Sequence, residues 1–587
     1  MKQQEYKLII DFWRNNKRRL IYIIVATALG TIVSLSFPYI LKLIIDGIKT
    51  QLQVRQLLKY VCLLFIFGFL RSTISVFLPF LRGRTNEIFQ WLTRTNVFKQ
   101  ILQKGLSFTN KFPSGDVIER LDQDLGELSW FACSGIFRPI EGIFTITFAL
   151  IILIKLNPLL TLISVLPVSI AVLIWLKLGP IVYKWYRAWR EAMSQTSEHI
   201  ESSFTGIKLI KSYCVEQANR LKFQQILADR IAKAVTVVKA EAKIGIYFSA
   251  IAELGILLIL WVGGMMVIKQ HLTLGDFVAF NGYILMLITP MFDIGNFFVA
   301  GRRAKAGEER IRALMEVKPD IEVKTATPIK IAGWQKIEFR NVSFQYPNDN
   351  RWVLENINLT ILPKTKIGIA GTVGSGKTTL IKLLLRICDP TQGTIFLDNI
   401  PYPNIDLTSL RALFGYAPQD TALFSDTIYN NIVWGRDNNH RAQATSLEKL
   451  IEITQLAEDL KTFPEKLAQP IGERGLSLSG GQKQKVALAR ALYHNPDILI
   501  LDDATSNLDA HTEQALIKNL TMLQNTTCKH LSLLIISHRL TLLSLCDIIY
   551  CFDKGKIVEQ GTHQELLIKK GLYWKLYQRQ LLEKELK

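Results

Sequence analysis

Hydrophobic positions are distributed in two different ways along this chain. Up to about residue 300 they gather into six long runs, about Leu20–Ile45, Leu57–Leu81, Ile136–Leu156, Leu159–Leu178, Ile244–Ile268 and Leu274–Val299. Each run is about 20 residues or longer, which is the length an α-helix needs to cross the hydrocarbon core of a bilayer. From about Trp334 onward the apolar runs are short and β-like and alternate with helical patterns, as in a soluble α/β domain. The pattern therefore predicts six membrane spans followed by an α/β domain.

The third and fourth runs are separated only by Asn157-Pro158, and Pro38, Pro79, Pro167 and Pro290 fall in or near the spans. Membrane helices tolerate such kinks where neighbours satisfy the freed backbone groups. Links between spans alternate: the first, third and fifth are short, while the second and fourth are long, polar and charged. The basic start, Lys17-Arg18-Arg19, places both long links in the cytoplasm. The apolar run behind it is too long for a signal peptide and lacks a small-residue cleavage site, so it is read as a retained first span. Helices that extend well beyond the bilayer toward a soluble partner domain are expected from the two long links.

With 587 residues, the chain is too long for a single domain. Its mean hydropathy of +0.20 averages the two unlike halves. The net charge of +20 is scattered, with no basic helix or zinc module. That favours the positive-inside bias of a membrane protein, facing anionic inner-leaflet lipid, over nucleic-acid binding. Seven cysteines, an odd number without CxxC spacing, indicate neither a disulfide framework nor a zinc site. Arg71, Glu141, Glu253 and Asp293 lie in or near the spans. Such groups usually line a substrate pathway or form an internal pair, for example Arg71 with one of the carboxylates. The carboxylates Glu253 and Asp293 suggest a cavity that accepts cationic or amphipathic compounds.

In the second half, three apolar runs each end in a chemically useful residue. Lys366–Ala370 leads into GTVGSGKTT, Ile498–Leu501 into Asp502-Asp503, and Leu533–Ile536 into Ser537-His538. Runs of this kind are typical of parallel strands covered on both faces, and ligands collect at the carboxyl ends of such strands. Three distant segments are thus expected to converge. Gly371, Gly376, Lys377 and Thr378 fit the phosphate-binding loop G-x4-G-K-[ST]. In such a loop, backbone N–H groups from Gly371, Thr372, Val373, Gly374, Ser375, Gly376 and Thr379 approach the phosphates. Lys377 supplies charge at the β- and γ-phosphates, and Thr378 a hydroxyl to Mg²⁺. Asp502 fits the acidic residue that helps hold the cation. Asp503 points toward the attacking water, and His538 toward the γ-phosphate.

Leu478-Ser479-Gly480-Gly481-Gln482 narrows the reading further. Two glycines after a serine, at the start of a helical pattern, make a second anion site at a helix N-terminus. A second phosphate site beside a P-loop implies that ATP lies between two such domains. The whole chain, nearly all 587 residues, resembles the ABC exporter family in its half-transporter form. The resemblance implies an α-helical six-span transmembrane domain (1–318), a linker (319–334) and an α/β P-loop ABC ATPase domain (335–587). It makes Gly371–Thr379 the Walker A loop, Ile498–Asp502 Walker B, and Gln419 in YAPQD the Q-loop glutamine that touches Mg²⁺ and the attacking water. Tyr346 becomes the aromatic that stacks on adenine, and Ser479–Gln482 the signature that closes on a partner's ATP. Ser506–Asp509 resembles the D-loop, with Asn507 where alanine is commoner. Ile471–Gly475 resembles the loop before the signature, and Phe112–Asp124 and Phe204–Glu216 the two cytoplasmic links.

The family implies ATP-driven export through alternating access by a dimer whose two ATPase domains close head to tail. The ATPase domain lies in the cytoplasm and the chain in the cell membrane, with lipid, an exported substrate and a second half-transporter as partners. The departure is Asp503, which stands where glutamate is usual, one methylene short. In this family an aspartate there resembles the degenerate subunit of heterodimeric exporters. Tyr346, Gln419 and His538 nevertheless keep the usual identities. A heterodimer is therefore favoured, with a slowly hydrolysing homodimer as the alternative. The other readings are an ATP-binding regulator or gated channel, a soluble ABC-fold ATPase, which the spans oppose, and an importer, which usually carries its membrane part on another chain.

Overall fold

The computed structural model describes residues 6–321, 327–331, 333–347, 349–435, 446–472, 478–526, 528 and 530–585. These form two compact units, Met1–Ile101 with Ser114–Glu316, and Leu102–Pro113 with Val317–Lys587.

The first unit is helical. Its long helices are α1 (Lys17–Lys49), α2 (Val54–Ile101), α3 (Phe137–Leu156), α4 (Pro158–Thr205), α5 (Glu216–Leu258) and α6 (Leu274–Glu316). Each of the six apolar runs lies on one of them, the fifth continuing through a π-helical turn at Ile259–Gly263 to Ile268. Among the described residues, four stretches are long and apolar enough to cross a membrane: Lys17–Lys49, Val54–Ile101, Ser114–Leu156 and Glu216–Ile268. Among the described residues, Pro158–Pro167 and Leu274–Leu287 are shorter apolar helices. At 48 residues, α2 is about 70 Å long, more than twice a hydrocarbon core, so it extends well past the bilayer as expected. The break between α3 and α4 has a local cause. Asn157 is extended, its side chain accepts a hydrogen bond from the Leu160 N–H at 2.9 Å, and Pro158 starts the next helix.

Exposure in this unit is inverted relative to a water-soluble bundle. Phe65, Phe69, Val76 and Trp261 point outward, while Thr27, Thr31, Arg82 and Ser164 are buried. Lipid accepts the apolar surface, so polar groups must find partners inside. Arg82 Nη2 donates to Thr27 Oγ1 at 3.1 Å and to Glu141 Oε2 at 2.8 Å, tying α1, α2 and α3 together. Glu141 therefore belongs to an internal pair, and its partner is Arg82 rather than Arg71. The Arg71 guanidinium stands 5.7 Å from the Phe37 ring centre, and Glu253 is exposed on α5.

The second unit contains two sheets. The strands are β1 (Ile337–Phe344), β2 (Leu354–Ile361), β3 (Lys366–Gly371), β4 (Gln392–Leu397), β5 (Ile400–Pro401), β6 (Phe414–Ala417), β7 (Ile498–Asp502), β8 (Ser532–Ile536), β9 (Ile548–Asp553) and β10 (Lys556–Gly561). An antiparallel sheet runs β2-β1-β4-β5, and a second runs β10-β9-β3-β8-β7-β6, parallel from β9 to β6. Every residue of β7 and β8 is buried, as the continuous apolar runs imply for strands covered on both faces. Two outlying segments join this unit. Ile329 pairs with Ile405, and the short helix Leu106–Lys111 is held by Asp320, which accepts from the Ser107 N–H at 2.9 Å.

The three-helix tie has a measurable consequence. Arg82→Ala leaves Glu141 and Thr27 without their donor and is expected to cost about 3 kcal/mol. Glu141→Gln keeps an acceptor and is expected to cost about 1 kcal/mol. Thermal unfolding of the detergent-solubilised protein should rank the variants in that order. Equal midpoints for both variants and the parent would show that the tie holds nothing together.

Candidate nucleotide site

The strand order places the expected chemistry along one edge. From β3 through β8 and β7 to β6, the carboxyl ends lead into Gly371–Lys377, Ser537-His538, Asp502-Asp503 and Gln419. Four segments widely separated in sequence are thus brought together by adjacent parallel strands. His538 and Gln419 are exposed there, and Asp503 is half-buried.

The loop after β3 turns sharply into helix α7 (Lys377–Leu384). Gly376 has φ +99°, and a Cβ there would lie 2.7 Å from Leu354 Cδ2 and 2.8 Å from the Val353 carbonyl oxygen. Only glycine meets both the conformation and the space. Lys377 opens α7, buried, and its Nζ donates to the carbonyls of Gly371 at 3.0 Å and Thr372 at 2.7 Å. Asp502, also buried, is hydrogen-bonded by the Thr378 side chain and accepts from the Tyr416 hydroxyl at 3.3 Å. Tyr346 packs edge-on to Phe344, its hydroxyl 3.2 Å from Thr379 Oγ1, with Lys382 Nζ 5.5 Å from its ring centre.

Charges here are held off their ordinary behaviour. Burial lowers the Lys377 pKa, against the opposing pull of the Asp502 and Asp503 carboxylates. Burial likewise raises that of Asp502, and neighbouring Asp503 adds to the rise, while Tyr416, Lys377 and Thr378 oppose it. The residues fit a nucleotide with a divalent cation. A buried carboxylate paired with a threonine hydroxyl is a hard oxygen donor set short of positive charge. The lysine rests only on neutral carbonyls, and Ser375 Oγ is buried with no partner among the described residues.

Ser479–Gln482 is built separately. Ser479 caps α8 (Gly480–Tyr493): its Oγ accepts from the Gln482 N–H at 3.3 Å, while Gln482 Oε1 accepts from the Ser479 N–H at 3.0 Å. This reciprocal cap leaves two glycines at a helix start. Gln482 and Lys485 both donate to Asp459, at 3.2 and 2.7 Å. Further along, α8 packs on β6, and a Cβ at Gly415 would lie 2.3 Å from the Ala491 carbonyl oxygen. β6 lies three strand positions from β3, about 14 Å at ordinary strand spacing. Among the described residues, no hydrogen bond joins Ser479–Gln482 to Gly371–Thr379; the signature glycines lie against Asn507 instead. Glu473–Gly475 lie outside the described residues.

Four contacts were not legible as site features. Tyr416, inside the β6 run, reaches Asp502. Gln484, one turn into α8, donates to Ser506 Oγ and accepts from the Asn507 N–H, both at 3.1 Å. Asn507 in turn covers the signature glycines, its carbonyl oxygen 3.1 Å from where a Gly481 Cβ would be. Arg539 donates to the carbonyls of Ser506 at 3.1 Å and Leu508 at 3.2 Å. The only sequence cue to Arg539 is its place next to His538.

Comparison with known proteins agrees with this geometry. Residues 20–291 match the family of the ABC transporter transmembrane region, and residues 354–506 match the ABC transporter family. A protein of Bacillus subtilis named as a probable multidrug resistance ABC transporter ATP-binding/permease protein is 33% identical over 498 residues, 84% of each chain. An ATP-dependent lipid A-core flippase of Syntrophus aciditrophicus is 29% identical over 582 residues, 98% of this chain and 95% of that one. The structure of a bacterial Atm1-family ABC exporter with ATP bound superposes with a TM-score of 0.78 at 25% identity, covering 96% of this chain and 98% of the other. The protein is a multi-pass membrane protein with its ATPase domain in the cytoplasm. The chain belongs to the ABC exporter family, as a half-transporter that carries the transmembrane region and the ABC ATPase on one polypeptide and couples ATP hydrolysis to export.

Proposed function

We propose that the chain works as one of two half-transporters in a heterodimer, with transmembrane domain 1–318, linker 319–334 and ATPase domain 335–587. Each ATP lies between Gly371–Thr379 of one chain and Ser479–Gln482 of the other. Two observations support this reading: the P-loop and the signature are built as separate anion sites within one chain, which supports a dimer, and Asp503 beside an intact signature favours an unlike partner. Closing them on a shared nucleotide needs a second ATPase domain. ATP then favours export because it binds the closed state better than the open one.

Within each site the residues divide the work. Backbone N–H groups of Gly371–Thr379 and the Lys377 ammonium hold the phosphates, and Tyr346 lies against adenine. Thr378, Asp502 and Gln419 hold Mg²⁺, which when bound neutralises phosphate charge. His538 contacts the γ-phosphate. Asp503 orients the attacking water and accepts its proton. That residue has φ +49°, a conformation aspartate tolerates better than most residues. Its carboxylate is one methylene short of the usual reach, which favours weak hydrolysis at this chain's own P-loop. The signature is intact and can complete a partner's site.

A cavity of about 500 Å³ in the membrane unit, lined by Phe37, Arg71, Arg138, Met286 and Asp293 among others, is the proposed substrate path. Two arginines, Arg71 and Arg138, and two carboxylates, Glu141 and Asp293, line it. Of the two carboxylates expected to favour cationic or amphipathic compounds, Asp293 lines this cavity and Glu253 does not.

Asp503→Glu is expected to raise ATP hydrolysis about tenfold, given that a misplacement on the order of 1 Å can cost on the order of 100-fold. An unchanged rate in a phosphate-release assay would show that Asp503 is not limiting. Expressed alone, the chain should hydrolyse ATP weakly and recover with the partner that co-purifies from the native membrane. Vigorous substrate-stimulated hydrolysis by a stable homodimer would sink the heterodimer. Asp502→Asn is expected to lower hydrolysis on the order of 100-fold while stabilising the nucleotide-free protein at neutral pH. The sign follows from the raised pKa: the folded state carries a buried charge above it and a neutral carboxyl below it. The gain in unfolding midpoint should therefore vanish as the pH falls through the titration of Asp502. A gain that persists in acid would refute the buried-charge argument.

A further inference from the structure

The chain's last helix, α9 (Leu572–Glu585), returns to the catalytic edge of the parallel sheet. From it, Gln580 makes two hydrogen bonds to the loop after β8. Its Nε2 donates to the His538 carbonyl oxygen at 2.6 Å, and its Oε1 accepts from the Leu540 N–H at 2.7 Å. A carbonyl can only accept and an N–H can only donate, so the partners themselves define which way the amide faces. The C=O of one residue and the N–H two residues on are the groups that an adjoining parallel strand would pair. β8 ends at Ile536, and Gln580 continues its pairing where no strand is available.

The same loop is held from two other sides. Ser537 Oγ accepts from the Arg539 N–H at 2.9 Å. The Arg539 guanidinium is anchored on Glu513 at 2.5 Å and on the carbonyls of Ser506 and Leu508. The His538 side chain is exposed at the sheet edge, so its position rests on the backbone that Gln580 and Arg539 fix. At neutral pH no other straight-chain residue of this length supplies both a donor and an acceptor. An ionised glutamate has no donor and sets its charge against the His538 carbonyl, and methionine has neither group.

We propose that Gln580 is a positioning residue for ATP hydrolysis: its amide holds the His538–Leu540 backbone so that the imidazole stands at the γ-phosphate. The proposal rests on the reading of His538 as a nucleotide contact. It assigns the last helix a part in turnover that no motif in the ATPase domain carries.

The test uses the full-length exporter as purified with its partner and measures kcat, KM for Mg·ATP and thermal unfolding. Gln580→Met, similar in length but without hydrogen bonds, is expected to lower kcat about tenfold with KM within about twofold, since orientation rather than binding is lost. Gln580→Glu should show the same deficit at pH 8. Relative to the parent, that deficit should shrink as pH falls, because a protonated carboxyl again donates to the His538 carbonyl while accepting from Leu540. On a His538→Ala background, Gln580→Met should cause no further loss. Full kcat in Gln580→Met alongside a crippled His538→Ala overturns the proposal alone. So does an equal fractional loss on the His538→Ala background, or a fall in kcat matched by a fall in unfolding midpoint that Gln580→Glu at low pH does not reverse. Full turnover in His538→Ala overturns the underlying reading of His538, and the proposal with it.

Discussion

A buried ammonium and a buried carboxylate at the end of a parallel sheet set the terms for the ATPase unit. Lys377 and Asp502 lie within each other's field, and each offsets only part of the other's burial. The lysine rests on carbonyls and the aspartate on hydroxyls, and burial holds both away from their ordinary pKa values. Burying two charges is costly unless each is met by a strong partner. An anion at the lysine and a cation at the aspartate are those partners. The surrounding structure serves that arrangement: the Gly376 turn brings Lys377 to the loop, β7 delivers Asp502, and Tyr416 from β6 braces it. A nucleotide and its cation, once bound, would therefore stabilise this unit.

The membrane unit faces the opposite problem. With lipid on the outside, apolar surface is cheap to expose and polar surface is not. Arg82 is satisfied by Thr27 and Glu141 from two other helices, and Tyr283 donates to the Leu35 carbonyl at 2.8 Å. Ties of this type give helix pairs a fixed register that dispersion between apolar faces does not supply. A helix that continues far beyond the bilayer, as α2 does, can then transmit motion as a unit rather than slide against its neighbours.

What could be read in the sequence was what is written locally. Apolar runs mark spans because hydrocarbon thickness fixes their length, and Gly371–Thr378 marks a phosphate loop because its backbone needs those residue types at that spacing. Asn157-Pro158 marks a helix boundary for the same reason. Convergence of β3, β8 and β7 was legible because buried parallel strands present their carboxyl ends together. Partnerships that depend on how distant segments meet were not. Arg82 lay one residue past the expected end of its span, and Arg71, the cation inside it, drew the expected pairing. Tyr416 looked like one more apolar position of a strand. Gln484 and Gln580 carry no local signal, since a glutamine on a helix is ordinarily a solvated residue.

The loop contacts bear on Asp503. Its N–H donates to the Ile536 carbonyl at 2.9 Å, and its own carbonyl accepts from the Ser506 N–H at 3.2 Å. The backbone is therefore pinned to β8 on one side and to the D-loop on the other. A missing methylene could be offset by a backbone that moves forward, but these two bonds, together with the left-handed conformation, oppose that movement. The D-loop cannot follow, because Arg539 and Gln484 hold Ser506 to Leu508 against the signature glycines. A deficit in reach at Asp503 thus stays at Asp503, while the surface presented to a partner's ATP is supported by contacts that do not depend on that side chain. The proposed pairing with an unlike partner rests on that asymmetry between the two faces of one ATPase domain.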